Sequence, residues 1–386
     1  MIATCVVVLL FGTWLGAHAT WLPSPFRSSL AADHQASLVH QVLDDLHADY
    51  YRTVSRTQLT NSGLMAMIAS LHDPFSHYFS PAEYKSLFGV PHLNGIGVDV
   101  VPAKQGLRVV DVFNGYPAAR AGLLPGDLII AVGPTSLAGR SSTFAQRLIR
   151  GPAGTRVVLT LLAGKHRRVL RITRAHIIVP VASDRTFTYH GTKLGYVQLT
   201  TFEQPGAGSE VRTDVNQVLH EGAKGIVLDL RENGGGLINE AIKTASIFIP
   251  SGTIVSIHGR NTPRQVFTAT GGAISSKIPV VVLVDGQTAS ASEIVTAALQ
   301  DYHRALVVGT HTFGKGVFQD SFGLPGGGVL EIVAGYYYTP DGRNLGGGGV
   351  KQGAGVKPNI YAAENPRSKA DHQLAVALKT LAAEVR

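Results

Sequence analysis

The chain has 386 residues, 45% of them apolar, with 34 Lys and Arg against 26 Asp and Glu for a formal net charge of +8. That length covers two or three domains, and the apolar share excludes a wholly disordered chain. A single Cys excludes a disulfide framework and a Cys-based zinc cluster, and 44 Gly without a G-x-y period exclude collagen.

Residues 1–26 carry no charged side chain. Ile2–Leu15 reads as a secretory apolar region, with Ala17-His18-Ala19 as a cleavage site before Thr20. The run is also long enough to stay uncut as an anchor. Export is expected, to the periplasm or the outer face of the cytoplasmic membrane. Membrane attachment would run through residues 1–26. No Lys or Arg precedes the run, which departs from the usual leader.

An N-terminal helical region is expected over 27–92. Val39, Val42, Leu43, Leu46 and Tyr50 keep the spacing of an amphipathic helix. Leu64–Leu71 is a second run, ended by His72-Asp73-Pro74, and Ser80-Pro81-Ala82-Glu83 reads as a helix start. Residues 93–178 form a β-rich module. Its strands are expected at Gly97–Val101, Leu107–Val112, Leu128–Val132, Val157–Leu162 and Val169–Thr173, with helices at Pro117–Gly122 and Ser142–Arg150. Residues 179–386 alternate strand and helix, with buried strands at Gly225–Leu230, Val280–Val284 and Ala305–Val308. That alternation argues for an α/β layer with parallel pairing. The Lys and Arg are spread along the chain, and the densest cluster, Lys165-His166-Arg167-Arg168, reads as a solvated face. No nucleic-acid partner is expected.

Asp285 to Glu293 runs from the end of a buried strand through Gly286 and small residues into a helix starting at Ser290. A strand–turn–helix lifts a side chain out of the sheet edge, as a nucleophile elbow does, although G-x-S-x-G itself is absent. Unpaired N–H groups at the helix start can stabilise an oxyanion. The competing reading is a capping box, Ser290-x-x-Glu293, which needs no catalysis. Thr312-Phe313-Gly314-Lys315-Gly316 nearly completes a Walker A loop from Gly309. Gly316 stands where the Mg²⁺-binding hydroxyl belongs, so a nucleotide site is not expected. A Lys in a tight Gly turn beside apolar walls can instead serve as a general base, since burial disfavours its ammonium. Asn233-Gly234-Gly235-Gly236 at a helix start brings backbone N–H groups close to an anion. No His, Asp and Glu cluster has metal-ligand spacing, so neither metal nor other cofactor is expected.

Together these stretches resemble the carboxyl-terminal processing proteases, Ser-Lys peptidases with an inserted PDZ domain. The likeness runs from about residue 40 to about 380. The family's A-S-A-S-E-I element matches Ala289–Ile294, its F-G-K-G element matches Phe313–Gly316, and its D-L-R-x-N-x-G-G element matches Asp229–Gly236. The resemblance implies Ser290 as nucleophile, Lys315 as base and Gln319 as its supporting residue. It implies Gly235, Gly236 and Ala291 at the oxyanion hole, with Glu293 and Thr312 in supporting roles. Gly95-Ile96-Gly97-Val98 is similar to a PDZ carboxylate-binding loop, and Pro117–Asp127 to the stretch that follows in such domains.

The implied fold is α/β: a crotonase/ClpP-like protease core over 179–386, an inserted PDZ domain over 93–178 and the N-terminal helical region. The implied function is an exported serine endopeptidase that cleaves proteins near their C-terminus. Its partners would be unfolded or flexible protein C-termini, and an activator or adaptor protein or a second copy of the chain are further candidates. Two other readings stand beside it. One is a PDZ adaptor of the cell envelope whose protease-like domain is only a scaffold; the other is a Ser-His-Asp hydrolase. The sequence departs from the family near its end, where Gly355-Val356-Lys357-Pro358-Asn359 follows a Gly-rich loop and has Asn for Asp.

Overall fold

The computed structural model describes residues 34–88, 92–113, 115–140, 142–163, 166–364 and 370–385. The expected signal or anchor at 1–26 lies outside the described residues. No helix among the described residues is long and apolar enough to cross a membrane. The described residues divide into two compact units, those up to Glu83 with 321–332, and those from Tyr84 to Asp320 with those from Val333 on.

In the first unit the expected helices form α1 (His34–Asp49) and α2 (Arg56–Ala69), followed by the short strand β1 (His77–Phe79), which pairs antiparallel with residues 329–331. The stripe along α1 stays open: Val39, Val42 and Leu46 are 44%, 48% and 40% exposed. Helix α3 (Pro81–Phe88) follows Ser80, whose N–H and hydroxyl both donate to Glu83 Oε2, at 2.9 and 2.6 Å. This is the carboxylate half of the cap read from the sequence.

The second unit opens with a small β module. It comprises β2 (His92–Gly95), β3 (Val98–Ala103), β4 (Gly106–Val112), α4 (Pro117–Arg120), β5 (Leu128–Val132), β6 (Thr135–Ser136), α5 (Ser142–Ile149), β7 (Arg156–Ala163), β8 (His166–Thr173) and β9 (Ala175–Ile178). Its sheet runs β3-β4-β5-β7-β8, so among the described residues one edge of β3 has no strand partner. Alternation fixes which face is inward: Val157, Leu159 and Leu161 of β7 are buried among Ile96, Leu107, Ile129, Ala145 and Ile149.

The α/β layer follows: β10 (Ala182–Tyr189), β11 (Thr192–Leu199), α6 (Ala207–His220), β12 (Ile226–Asp229), α7 (Ile238–Ala245), β13 (Thr253–Gly259), β14 (Gln265–Thr268), β15 (Val280–Val284), α8 (Ala291–Asp301), β16 (Leu306–Gly309), β17 (Val317–Gly323), β18 (Val329–Tyr338), β19 (Ile360–Tyr361) and α9 (His372–Glu384). The main sheet runs β10-β11-β12-β15-β16-β19, parallel throughout except for the β10–β11 hairpin. Every residue of β15 is buried. Val282 and Val284 join a core with α6, α7 and α8, while Val281 and Leu283 pack with Leu374, Ala377 and Leu381 of α9. Burial on both faces is why β15 reads as an unbroken apolar run. Strands β12, β15 and β16 are neighbours and parallel, so the loops after their carboxyl ends emerge side by side. Ligands bind at such carboxyl edges.

Candidate active site

Three loops meet at that edge: Leu230–Gly236 after β12, Asp285–Ser290 after β15 and Thr310–Gly316 after β16. The middle loop is an elbow. Ser290 sits at φ 54°, ψ −117°, immediately before α8. This left-handed backbone is uncommon for a residue with a Cβ and persists only where surroundings impose it. Here Asp285 Oδ1 accepts the N–H groups of Gln287 and Thr288 at 2.9 Å. The Thr288 hydroxyl donates to Leu230 O at 2.9 Å, and the Ala289 N–H to Asn233 O at 3.1 Å.

Buried Asn233 is the strut between the first two loops. Its Nδ2 donates to Leu199 O at 2.8 Å, its Oδ1 accepts the Gly235 N–H at 3.0 Å, and its carbonyl takes the Ser292 hydroxyl at 2.9 Å. Gly235, at φ 101°, lies so close to the elbow that a Cβ would stand 2.7 Å from Ser290 Cβ and 2.8 Å from Ala291 N. Its N–H is taken by Asn233, so Gly235 supplies close approach rather than a donor. The N–H groups of Gly236 and Ala291 donate to no partner among the described residues.

Glu293 ties the elbow to the lysine turn. It is fully buried. Oε2 accepts the N–H of Ser290 and the N–H of Lys315, both at 2.9 Å. Oε1 accepts the Thr312 hydroxyl at 2.5 Å and the Gly314 N–H at 2.7 Å. Ser290 and Lys315 are therefore brought together through one oxygen. Burial pushes the Glu293 carboxyl above its ordinary range, while the bonds from Thr312, Gly314, Lys315 and Ser290 hold it down. Lys315 Nζ donates to Gln319 Oε1 at 2.6 Å, so the two residues meet as the resemblance implies.

The Gly-rich loop that the sequence left without a role closes over this turn. Gly316 N–H donates to Gly349 O at 2.9 Å, Lys351 N–H to Gly314 O at 3.0 Å, and Val356 N–H to the Thr312 hydroxyl at 2.7 Å. Asn344 Nδ2 donates to the carbonyls of Gly316 and Tyr337, at 2.7 and 2.8 Å. Gly355 is required here, since a Cβ would lie 2.1 Å from Glu293 Oε1.

Sequence reasoning also passed over a clamp beneath the site. Buried Asp229 accepts the Tyr196 hydroxyl at 2.8 Å and Arg231 Nη2 at 2.7 Å. The same Arg231 nitrogen donates to Asp371, the N-cap of α9, at 2.8 Å. Among the described residues no group of three His, Cys, Asp or Glu could hold a metal ion.

In the β module, Ile96 O accepts the Ala118 N–H at 2.8 Å and Gly97 O accepts the Phe113 N–H at 3.1 Å. Both peptide bonds are trans. The N–H groups of Gly97 and Val98 share those peptide planes, so they point the opposite way. Gly95, Ile96, Gly97 and Val98 line a groove of about 440 Å³, with Val100, Ile149 and Arg150 among the other walls.

Residues 193–362 match the family described as Peptidase family S41, and residues 108–162 match a PDZ domain. A Staphylococcus epidermidis protein named "Probable CtpA-like serine protease" is 31% identical over 376 residues, 95% of this chain and 75% of that one. The "Carboxyl-terminal-processing peptidase 2, chloroplastic" of Arabidopsis thaliana is 36% identical over 295 residues, 73% of this chain and 57% of that one. A solved structure of a Bacteroides fragilis protein assigned to the S41 proteases shares the fold at TM-score 0.50 and 20% identity, over 87% of this chain and 91% of that one.

Proposed function

The chain belongs to peptidase family S41, the C-terminal processing serine proteases with a PDZ domain, and on that premise we propose that it is an exported endopeptidase working through a Ser290–Lys315 dyad. In this reading Lys315 Nζ, unprotonated, takes the Ser290 hydroxyl proton as Oγ attacks the scissile carbonyl. The N–H groups of Gly236 and Ala291 receive the developing oxyanion. Lys315 then passes the proton to the leaving amine. Water hydrolyses the acyl-enzyme on Ser290, again with Lys315 as base. Gln319 orients the amine, and no metal or nucleotide takes part. The PDZ groove takes the substrate's C-terminal tail as an added strand on the open edge of β3, with its carboxylate at the N–H groups of Gly97 and Val98. Residues 1–26 direct export.

The observation that carries this reading is Glu293 Oε2. One buried oxygen accepts the backbone N–H of both Ser290 and Lys315, while the Lys315 amine rests 2.6 Å from Gln319. The test is cleavage of an unfolded protein with an apolar C-terminal tail by wild type, Ser290→Ala and Lys315→Ala. Cleavage by wild type alone is expected, falling as pH drops and Lys315 gains its proton. Activity that survives Lys315→Ala would refute the dyad. Binding of the tail without cleavage by folded wild type would return the adaptor reading.

A further inference from the structure

Charges of both signs line the groove. The Gly151 N–H reaches Asn94 O at 3.4 Å, which sets the end of α5 beside the start of the carboxylate loop. Arg150 is therefore at the end where a tail's carboxylate would sit, and it is the one Lys or Arg among the described residues lining the groove. Two carboxylates, Asp99 and Asp111, also line it. They face each other across β3 and β4 in register, so both stand on one face of the sheet. Like charges directly opposite are unfavourable, and among the described lining residues Arg150 is the sole cation to offset them. Asp184 of β10 and Asp214 of α6 feel the same negative charge. The Asp111 charge helps raise the carboxyls of both, after burial and nearer acids such as Glu221 at Asp184.

Strand alternation says which tail residues meet these acids. Val98 and Val100 pack toward the module's core, whereas Asp99 is exposed on the other face. A tail laid along β3 with its last side chain on the Ile96, Val98 and Ile149 side has its third-last side chain there too. The residues one and three before the last point to the face of Asp99 and Asp111. We propose that the groove selects C-terminal tails that end in an apolar residue and carry a lysine or arginine one or three residues before it, read by Asp99 and Asp111. The inference rests on the reading that the groove binds C-terminal tails.

The test uses the full chain carrying Ser290→Ala and fluorescein-labelled decapeptides, followed by anisotropy. One peptide ends in Lys-Ala-Ala-Val, one in Glu-Ala-Ala-Val, and a third repeats the first with an amidated C-terminus. The lysine peptide is expected to bind about 3- to 10-fold more tightly than the glutamate peptide at low salt, with the gap closing in 0.5 M salt, where the screening length falls to a few ångströms. Asp99→Lys is expected to reverse the order. Equal affinity, or preference for glutamate, while amidation still weakens binding overturns the charge selection and leaves the groove reading standing. If amidation changes nothing, the groove reading falls and takes this inference with it.

Discussion

Replacing Glu293 by Gln asks whether one ionised carboxylate holds the elbow and the lysine turn together. Its four closest partners all donate, at 2.5 to 2.9 Å. A Gln must place its NH₂ at one of the two oxygen positions. At Oε2 it would face two backbone N–H groups that cannot turn away. At Oε1 it faces the Gly314 N–H and the Thr312 hydroxyl, which can rotate to accept. The second orientation wins and leaves one buried N–H unpaired, at about 1–3 kcal/mol. The three remaining bonds lose their charge assistance, about 1 kcal/mol each. An amide is easier to bury than a carboxylate, which offsets about 2 kcal/mol. The net expectation is a loss of about 2–4 kcal/mol of stability. Because both Ser290 and Lys315 hang on this side chain, a shift of about 1 Å would lower kcat/KM by roughly 100-fold. Urea denaturation at pH 7.5 and steady-state cleavage of a tailed substrate measure the two effects. A Glu293→Gln protein with wild-type midpoint and wild-type activity would refute the argument, because a neutral amide would then do what is assigned here to the charge.

Gly235→Ala forces a Cβ to 2.7 Å from Ser290 Cβ at a backbone φ of 101°. It should cost about 1–3 kcal/mol and abolish turnover while the tail still binds, read by denaturation and anisotropy side by side. Gln319→Ala removes the acceptor 2.6 Å from Lys315 Nζ. Steady-state kinetics should show kcat down roughly 10- to 100-fold, the span of a hydrogen bond to a charged group, with KM little changed. Asp214 is raised from 3.8 to about 7, chiefly by burial and then by Asp184, Glu210 and Asp111, and its Oδ2 has no hydrogen-bond partner among the described residues. Its folded form holds the proton longer than its unfolded form, so the stability it contributes is present below about pH 4 and lost as pH rises through about 7. In urea denaturation Asp214→Asn should therefore match the stability of wild type at pH 4 and exceed it at pH 8 by about 1–2 kcal/mol, allowing for solvent screening. A gain independent of pH would count against this account.

What could be read from the sequence follows the range of the forces involved. The run Val280–Val284 announces a strand buried on both faces, and the structure places its ends at those same residues. The family, its α/β class and its PDZ module could be read from short motifs because each motif is a local backbone shape. The β10–β11 hairpin went unread although its signal was there. His190 and Gly191, at φ 46° and 82°, form the left-handed turn more often written Asn-Gly. Asn233 was read only as the start of a Gly loop that approaches an anion, and its role as a strut needs Leu199 and Ser292 from distant strand and helix. Glu293 was read as a helix cap, and it is one. Its other partners lie 19 to 22 residues further along, a distance no local pattern encodes. On α1 the periodicity foretold the helix correctly, but an apolar stripe does not say what will cover it.

The clamp of Asp229, Arg231 and Asp371 has a consequence for the order in which this protein comes into being. Arg231 leads directly into the Asn233–Gly236 loop, and its partner Asp371 is 140 positions later. Contacts so far apart in sequence form late and slowly. Until that contact forms, the Asn233–Gly236 loop lacks the brace that α9 provides. On the proposed mechanism, a chain that has formed the Ser290 elbow but not this contact would hold its nucleophile before its anion site is secured. Completion of the anion site is thereby coupled to the docking of α9.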